Sequence, residues 1–452
     1  MKKLLAASLL TITTLTQAQS PASLTNPSDL VKSKSQQDQS LVKELKYVVV
    51  ISRHGVRSPT GKLDTLSQYS RQSWPKWSAP AGYLTEHGAK LMTLFGAYDR
   101  ELFASEGLLA PTGCADAEHI HIVADSDQRT RETGRSLAAG LAPGCKIEVT
   151  ALEEGVNDPL FHPRGSGSKE DNALAVTALA GRIGDNLQGL TESYRPQLTA
   201  LEEVLLNCKP NDLRCTNTSS AQTHSLFDIP ASLAAGKGDH SVELSSPLSV
   251  ASTMTENFLL EYTEGMDAAD VGWGRVDLVK LRELLQLHVA AEDISLRTSY
   301  LARAQSSNLL DHVLLSVEQA GSGHAVAGSL DQPGNRLLIL VGHDTNLASI
   351  AGALSLNWLI DGRRDDTPPG GALVFELWKT LASGAYEVKA YYTAQTLDQM
   401  RNAVPLSLKT PPERVPVFIP GCGQADGSCT LSGFEAALKA VIQETPVNAE
   451  VH

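Results

Sequence analysis

Three short runs of apolar, largely β-branched residues punctuate the chain: Tyr47 to Ile51, His119 to Ala124 and Leu337 to Val341. Runs of this length and texture read as strands buried on both faces, as in a parallel sheet covered by helices. Between about residues 171 and 296 the pattern becomes helical. Leu198 to Leu206 and Val276 to Val289 carry Leu and Val at helical spacing, and Ser252 to Tyr262 alternates polar and apolar positions suitably. Further on, Pro368-Pro369-Gly370-Gly371 precedes the run Ala372 to Trp378, and Ser383-Gly384 precedes Tyr386 to Tyr392, which together read as a hairpin. The expected fold class is α/β, a mostly parallel sheet flanked by helices, with an α-helical domain inserted into it. The expected boundaries are 45–170 and 297–452 for the two parts of the α/β domain and 171–296 for the helical domain.

The residues just past each apolar run carry the functional signal. The first run ends in Ser52-Arg53-His54-Gly55-Val56-Arg57, the second in Asp125-Ser126-Asp127-Gln128-Arg129, and the third in Gly342-His343-Asp344. Ligands of open α/β sheets bind beyond the carboxyl ends of the strands. Three such ends bearing Arg, His and Asp predict one shared site, built from segments about 290 residues apart.

Composition narrows the partners. The 452 residues are 42% hydrophobic and 20% charged, ordinary values for a globular protein, with a formal net charge of −13. An acidic total argues against nucleic acid as a partner, because no basic surplus exists to displace counterions. Any anion must therefore be held by a local cluster of cations. At the N-terminus, Lys2-Lys3, the apolar run Leu4 to Leu15 and the small residues Thr16-Gln17-Ala18 read as a signal peptide over 1–18, followed by a flexible segment 19–44. No later run reaches the ~18 apolar residues of a membrane span. The expectation is a periplasmic or secreted monomer of mature charge −15, with no membrane partner. Six cysteines fall in three close pairs, Cys114/Cys145, Cys208/Cys215 and Cys422/Cys429, and six cysteines allow 15 connectivities. Local disulfides in an oxidising compartment are the favoured reading, and neither a C-x-x-C nor a Cys/His set at zinc spacing is present, so no metal and no cofactor are expected.

The strand-end residues suit phosphoryl chemistry. A neutral imidazole at His54 can attack phosphorus and form a covalent phospho-enzyme. Arg53 and Arg57 beside it would grip phosphate oxygens, and they oppose protonation of the ring. Arg129 supplies a third cation, His343 a further hydrogen bond, and Asp344 a proton for the departing alcohol. Taken singly each has a plainer reading: Arg129 as a surface or capping arginine, Asp344 as a helix cap, Glu256 as a solvated helical residue, and His87, His119, His121 and His162 as structural or surface histidines.

The constellation resembles the histidine acid phosphatases. Arg53-His54-Gly55-Val56-Arg57-Ser58-Pro59 stands where that family carries R-H-G-x-R-x-P, and His343-Asp344 matches its H-D pair. Asp125 to Gly134, Gly272-Trp273-Gly274-Arg275, Gly342 to Ala348 and Thr367 to Gly371 are similar to the bacterial phytase/acid phosphatase branch, as are the three cysteine pairs. The resemblance implies His54 as nucleophile, Asp344 as proton donor, and Arg53, Arg57, Arg129 and His343 as phosphate binders. It also implies metal-free hydrolysis of phosphomonoesters in a phosphoglycerate-mutase-like α/β domain whose cleft is covered by the α-domain. Thr60, Asp125 and Glu256 match substrate contacts of the branch; the lysine usual after that threonine is Gly61 here, with Lys62 one residue on. Phytate (inositol hexakisphosphate) is the leading substrate, with a sugar-1-phosphatase or broad acid phosphatase as the alternative. A phosphoglycerate-mutase-like enzyme or a non-catalytic phospho-ligand binder is the reading from a different class.

Overall fold

Strand β1 (Lys43–Arg53) shows why the first apolar run lacks alternation. Tyr47, Val49 and Ile51 enter one hydrophobic core, whereas Leu45, Val48 and Val50 enter another on the opposite face. A register shift between Leu45 and Tyr47 places Leu45 on the side of Val48. The computed structural model describes residues 42–61, 63–163, 169–208, 224–236 and 241–443. The expected leader over 1–18, nearly all of 19–44, Lys62 and Cys215 lie outside the described residues.

Seven further strands join β1 in one sheet of eight: β2 (Ile120–Ala124), β3 (Val149–Thr150), β4 (Leu337–Gly342), β5 (Ala372–Thr380), β6 (Tyr386–Ala394), β7 (Glu413–Val417) and β8 (Cys429–Thr430). The order is β7-β6-β5-β1-β4-β2-β3, with β8 beside β6. β1, β4, β2 and β3 are parallel. The predicted hairpin is β5–β6, and it extends this parallel core as an antiparallel flank against β1. In the core, β4 lies between β1 and β2, so the strand ends Arg53, Gly342 and Ala124 sit side by side.

The main helices are α1 (Glu86–Ser105), α2 (Gln128–Leu141), α3 (Lys169–Arg182), α4 (Arg195–Leu206), α5 (Pro247–Thr263), α6 (Leu278–Ser295), α7 (Ser299–Ser322), α8 (Asp344–Leu354) and α9 (Leu431–Lys439). α1 and α2 cover one face of the sheet through Met92, Phe95, Tyr98 and Leu137. α7, α8 and α9 cover the other through Leu310, Val313, Ile350 and Phe434. The backbones of α1 and α2 approach closely at two glycines: a Cβ on Gly96 would lie 2.2 Å from the Leu137 carbonyl oxygen, and one on Gly140 would lie 2.0 Å from that of Thr93.

Helices α3 to α6 build a third core from residues such as Leu179, Leu201, Phe258 and Leu284. Val56, Leu66 and Trp74, from the segment after β1, pack into it, which fastens that segment to the helices. Ser246 caps α5 and Pro247 occupies its first position, so the helix starts ahead of the alternation seen from Ser252. The stretch between 171 and 296 is not purely helical, since Ser232–Ala235 and Val242–Ser245 pair as a small antiparallel ribbon.

Disulfides join Cys114 to Cys145 and Cys422 to Cys429. The expected Cys208–Cys215 pair involves a residue outside those described. Replacing Cys114 and Cys145 together by serine is expected to cost ~3–4 kcal/mol, because their sequence separation of 31 sets a large loop entropy. Thermal unfolding followed by circular dichroism would show it as a fall of several degrees, and an unchanged midpoint would contradict it. Among the described residues no helix is long and apolar enough to cross a membrane.

Candidate active site

The parallel register delivers the site residues in the order of their strands. Arg53 is the last residue of β1 and is fully buried. Its Nη1 donates to the Thr367 carbonyl at 2.6 Å, and its Nη2 lies 2.5 Å from Glu256 Oε1 and 2.8 Å from Asp344 Oδ2. His54 follows with its backbone held on both sides: its N–H donates to the Gly342 carbonyl, and its carbonyl accepts from Gly370 N–H. In the ring, Nδ1 stands 2.8 Å from the Gly55 carbonyl oxygen. A carbonyl can only accept, so Nδ1 carries the proton and Nε2 keeps its lone pair. Burial, then the charges of Arg53, Arg57 and Arg129, hold His54 well below the usual histidine range. The ring is therefore neutral even in mildly acidic solution.

Arg57 reaches the same carboxylate as Arg53, with Nη2 2.9 Å from Glu256 Oε1. Glu256, projecting from α5, thus bridges two guanidinium groups. Burial would raise its pKa, but Arg57 and Arg53 outweigh that and keep it ionised. Arg129, in the first turn of α2, pairs with Asp127 at 2.5 Å and approaches His343 Nδ1 at 3.4 Å. The side chains of Thr60 and Arg129 flank Gly82: a Cβ there would lie 3.3 Å from Thr60 Cγ2 and 3.7 Å from Arg129 Nη1.

His343 follows β4 and packs edge-on to His54, ring centroids 5.5 Å apart. Its Nε2–H donates to Asp125 Oδ2 at 2.7 Å. Asp125 is 1% exposed, and the same oxygen also accepts from His162 Nε2 at 3.1 Å. Its environment suits holding His343 in orientation. Asp344 opens α8, where the helix dipole favours negative charge. Burial would raise its pKa, but Arg53, His288 and Arg57 hold it below the usual carboxylate range.

The sheet, its covering helices and α5 thus bring Arg53, His54, Arg57, Glu256, Asp344, Arg129, His343 and Asp125 into one connected cluster. Three residues that sequence reasoning did not single out for function join it. His162, read as structural or surface, touches Asp125. His288 and Glu292 lie one helical turn apart on α6 behind Arg53, with Nε2 to Oε1 at 3.4 Å. Glu292 Oε2 accepts from Thr367 Oγ1 at 3.2 Å, so a chain of contacts runs from Arg53 through Thr367 to this buried pair. Burial above all pushes Glu292 up to about 7. A His and a Glu four residues apart among the leucines of α6 were the available sign.

This arrangement, a neutral histidine ringed by arginines at adjacent strand ends, has relatives. The family model of the histidine phosphatase superfamily (branch 2) matches residues 44–393. The chain belongs to that superfamily. It is 38% identical over 397 residues to Phytase AppA of Escherichia coli (strain K12), covering 86% of this chain and 90% of the relative. To the glucose-1-phosphatase of Providencia rettgeri it is 30% identical over 413 residues, covering 88% and 92%. The Hafnia alvei phytase in complex with myo-inositol hexakis sulphate superposes with a TM-score of 0.77 at 33% identity, covering 89% of this chain and 98% of that one. This histidine phosphatase is accordingly a phosphoric monoester hydrolase with the α/β fold of those enzymes.

Proposed function

We propose that this phosphatase is an exported, monomeric enzyme that hydrolyses phosphomonoesters through a phosphohistidine at His54, with phytate as its preferred substrate. One observation carries the mechanism: His54 commits Nδ1–H to the Gly55 carbonyl, which leaves the Nε2 lone pair free on a ring under the charges of Arg53, Arg57 and Arg129. In this reading Arg53, Arg57, Arg129 and His343 bind the transferring phosphate, Asp125 orients His343, and Asp344 protonates the departing oxygen. Water then cleaves the phosphohistidine, with Asp344 acting as base. Thr60, Lys62 and Glu256 are the proposed contacts to the rest of the substrate, Lys62 lying outside the described residues. The helical segment 171–296 forms the cap over the cleft, between α/β parts 45–170 and 297–452. The two described disulfides support an extracytoplasmic location.

The phytate preference rests on the phytase relatives, and a glucose-1-phosphatase reading is supported by the 30% identical relative. Phosphate release from phytate and from glucose-1-phosphate, at about pH 5 with a chelator present, separates them. Strong release from phytate is expected; release from glucose-1-phosphate alone would move the assignment to a sugar phosphatase, and release from neither would overturn the enzyme reading. Activity is expected to fall as pH rises, because Asp344 must carry a proton and only the bound phosphate dianion lifts its depressed pKa. An optimum above neutrality in a pH–rate profile would contradict that role.

Glu256 supplies a further test. Its carboxylate shares Arg53 and Arg57 with any bound phosphate and so opposes the anion electrostatically. Glu256→Gln is expected to tighten competitive inhibition by inorganic phosphate roughly tenfold, from about 1–2 kcal/mol of relieved repulsion. Weaker inhibition in the variant would show instead that Glu256 chiefly holds the arginines in place.

A further inference from the structure

Asp125, Asp127, His162 and His343 come from three separated segments, and each presents one donor atom within 4.8 Å of all the others. The separations are 2.7 Å between His343 Nε2 and Asp125 Oδ2, 3.1 Å between His162 Nε2 and the same oxygen, and 3.6 Å between His343 Nε2 and Asp127 Oδ2. A tetrahedral zinc ion with bonds of about 2.0–2.1 Å requires ligand edges of about 3.3–3.4 Å. The three edges bracket that value. Two imidazoles and two carboxylates also suit zinc and its neighbours in hardness, and their two negative charges balance a dication.

We infer that these four side chains form a binding site for a zinc-class divalent cation, whose occupancy inhibits the enzyme. The site is rigid where it needs to be. Asp125 N–H donates to the Val341 carbonyl, His343 N–H to Asn346 Oδ1, and His162 N–H to the Asp158 carbonyl. It is also accessible, the side chains of His162 and Asp127 being 39% and 36% exposed. The second carboxylate oxygen, Asp125 Oδ1, is buried without a hydrogen-bond partner, so the carboxylate has coordinating capacity to spare. Coordination requires each imidazole proton to sit on Nδ1 and requires Arg129 to withdraw from both Asp127, with which it now pairs, and His343 Nδ1, which it now faces. The inhibitory half of the inference rests on the function proposed above, since His343 and Arg129 are two of its phosphate binders. Linear spacing conceals such a site, because the donors meet only through the β4–β2 pairing and the turn at His162.

Isothermal titration of the untagged, chelator-stripped protein with zinc acetate at pH 7, in phosphate-free buffer, is the direct test. One equivalent is expected to bind at micromolar concentration or tighter, and His162→Gln is expected to weaken it at least ~10-fold. Should His162→Gln not fold, as judged by circular dichroism, Asp127→Asn serves the same purpose. Magnesium is expected not to compete, because it prefers six oxygen ligands. No saturable zinc binding below ~1 mM, or unchanged affinity in the folded variants, would overturn the site. Turnover of an aryl phosphate is expected to be lost over the same zinc range in wild type. Binding without that loss would overturn the inhibitory role alone, and the titration itself stands whether or not the protein hydrolyses the ester.

Discussion

Replacing His54 by alanine is expected to abolish turnover, lowering kcat on an aryl phosphate by on the order of 10⁴–10⁶. The phosphate-binding residues around it cannot take over. Arg53, Arg57 and Arg129 are cations without a lone pair to give, and His343 commits Nε2–H to Asp125 while its Nδ1 faces Arg129. The variant should remain folded. The His54 main chain is fixed by the Gly342 carbonyl and Gly370 N–H, neither of which needs the side chain. The ring is neutral, so its removal takes no charge out of the cluster. Loss of activity with an intact circular dichroism spectrum, and loss of the alkali-stable phosphoryl label expected on wild type after a rapid quench, would together assign the nucleophile. A folded variant retaining more than about 1% of wild-type kcat would overturn the assignment.

The expected loss stems from a site that was partly legible before any fold was known. The strands β1, β2 and β4 were readable because each is buried on both faces, so its apolar run is unbroken and its end is abrupt. The chemistry stands immediately beyond: Arg53 and His54, then Asp125, then His343 and Asp344. Hairpin β5–β6 was readable from its glycine and proline boundaries. Other parts were hidden for physical reasons. The ribbon Ser232–Ala235 with Val242–Ser245 has few buried side chains and lacks an apolar signature. His162 stands in a turn with nothing adjacent to mark it, and its value comes from Asp125, 37 residues earlier. Glu292 is a carboxyl on a helix, and its buried contact with Thr367, 75 residues on, leaves no mark in the local pattern.

The second large effect expected is a split between leaving groups in Asp344→Asn. A nitrophenolate departs readily without a proton, whereas an alkoxide does not. The variant should therefore lose roughly 10³-fold or more in kcat on an alkyl phosphate and no more than ~10-fold on a nitrophenyl ester. Asparagine keeps the shape and can still occupy the first position of α8, so the helix start survives. Arg53 loses one anionic partner at 2.8 Å but retains Glu256 and the Thr367 carbonyl, which keeps its guanidinium placed for phosphate. With one negative charge fewer beside the anion, KM should hold or fall while kcat drops on the alkyl ester. That divergence separates a proton donor from a residue that merely positions Arg53: misplacing the arginine would raise KM and slow both esters alike. Equal losses on the two substrates would remove Asp344 from the acid role and leave the proton to solvent.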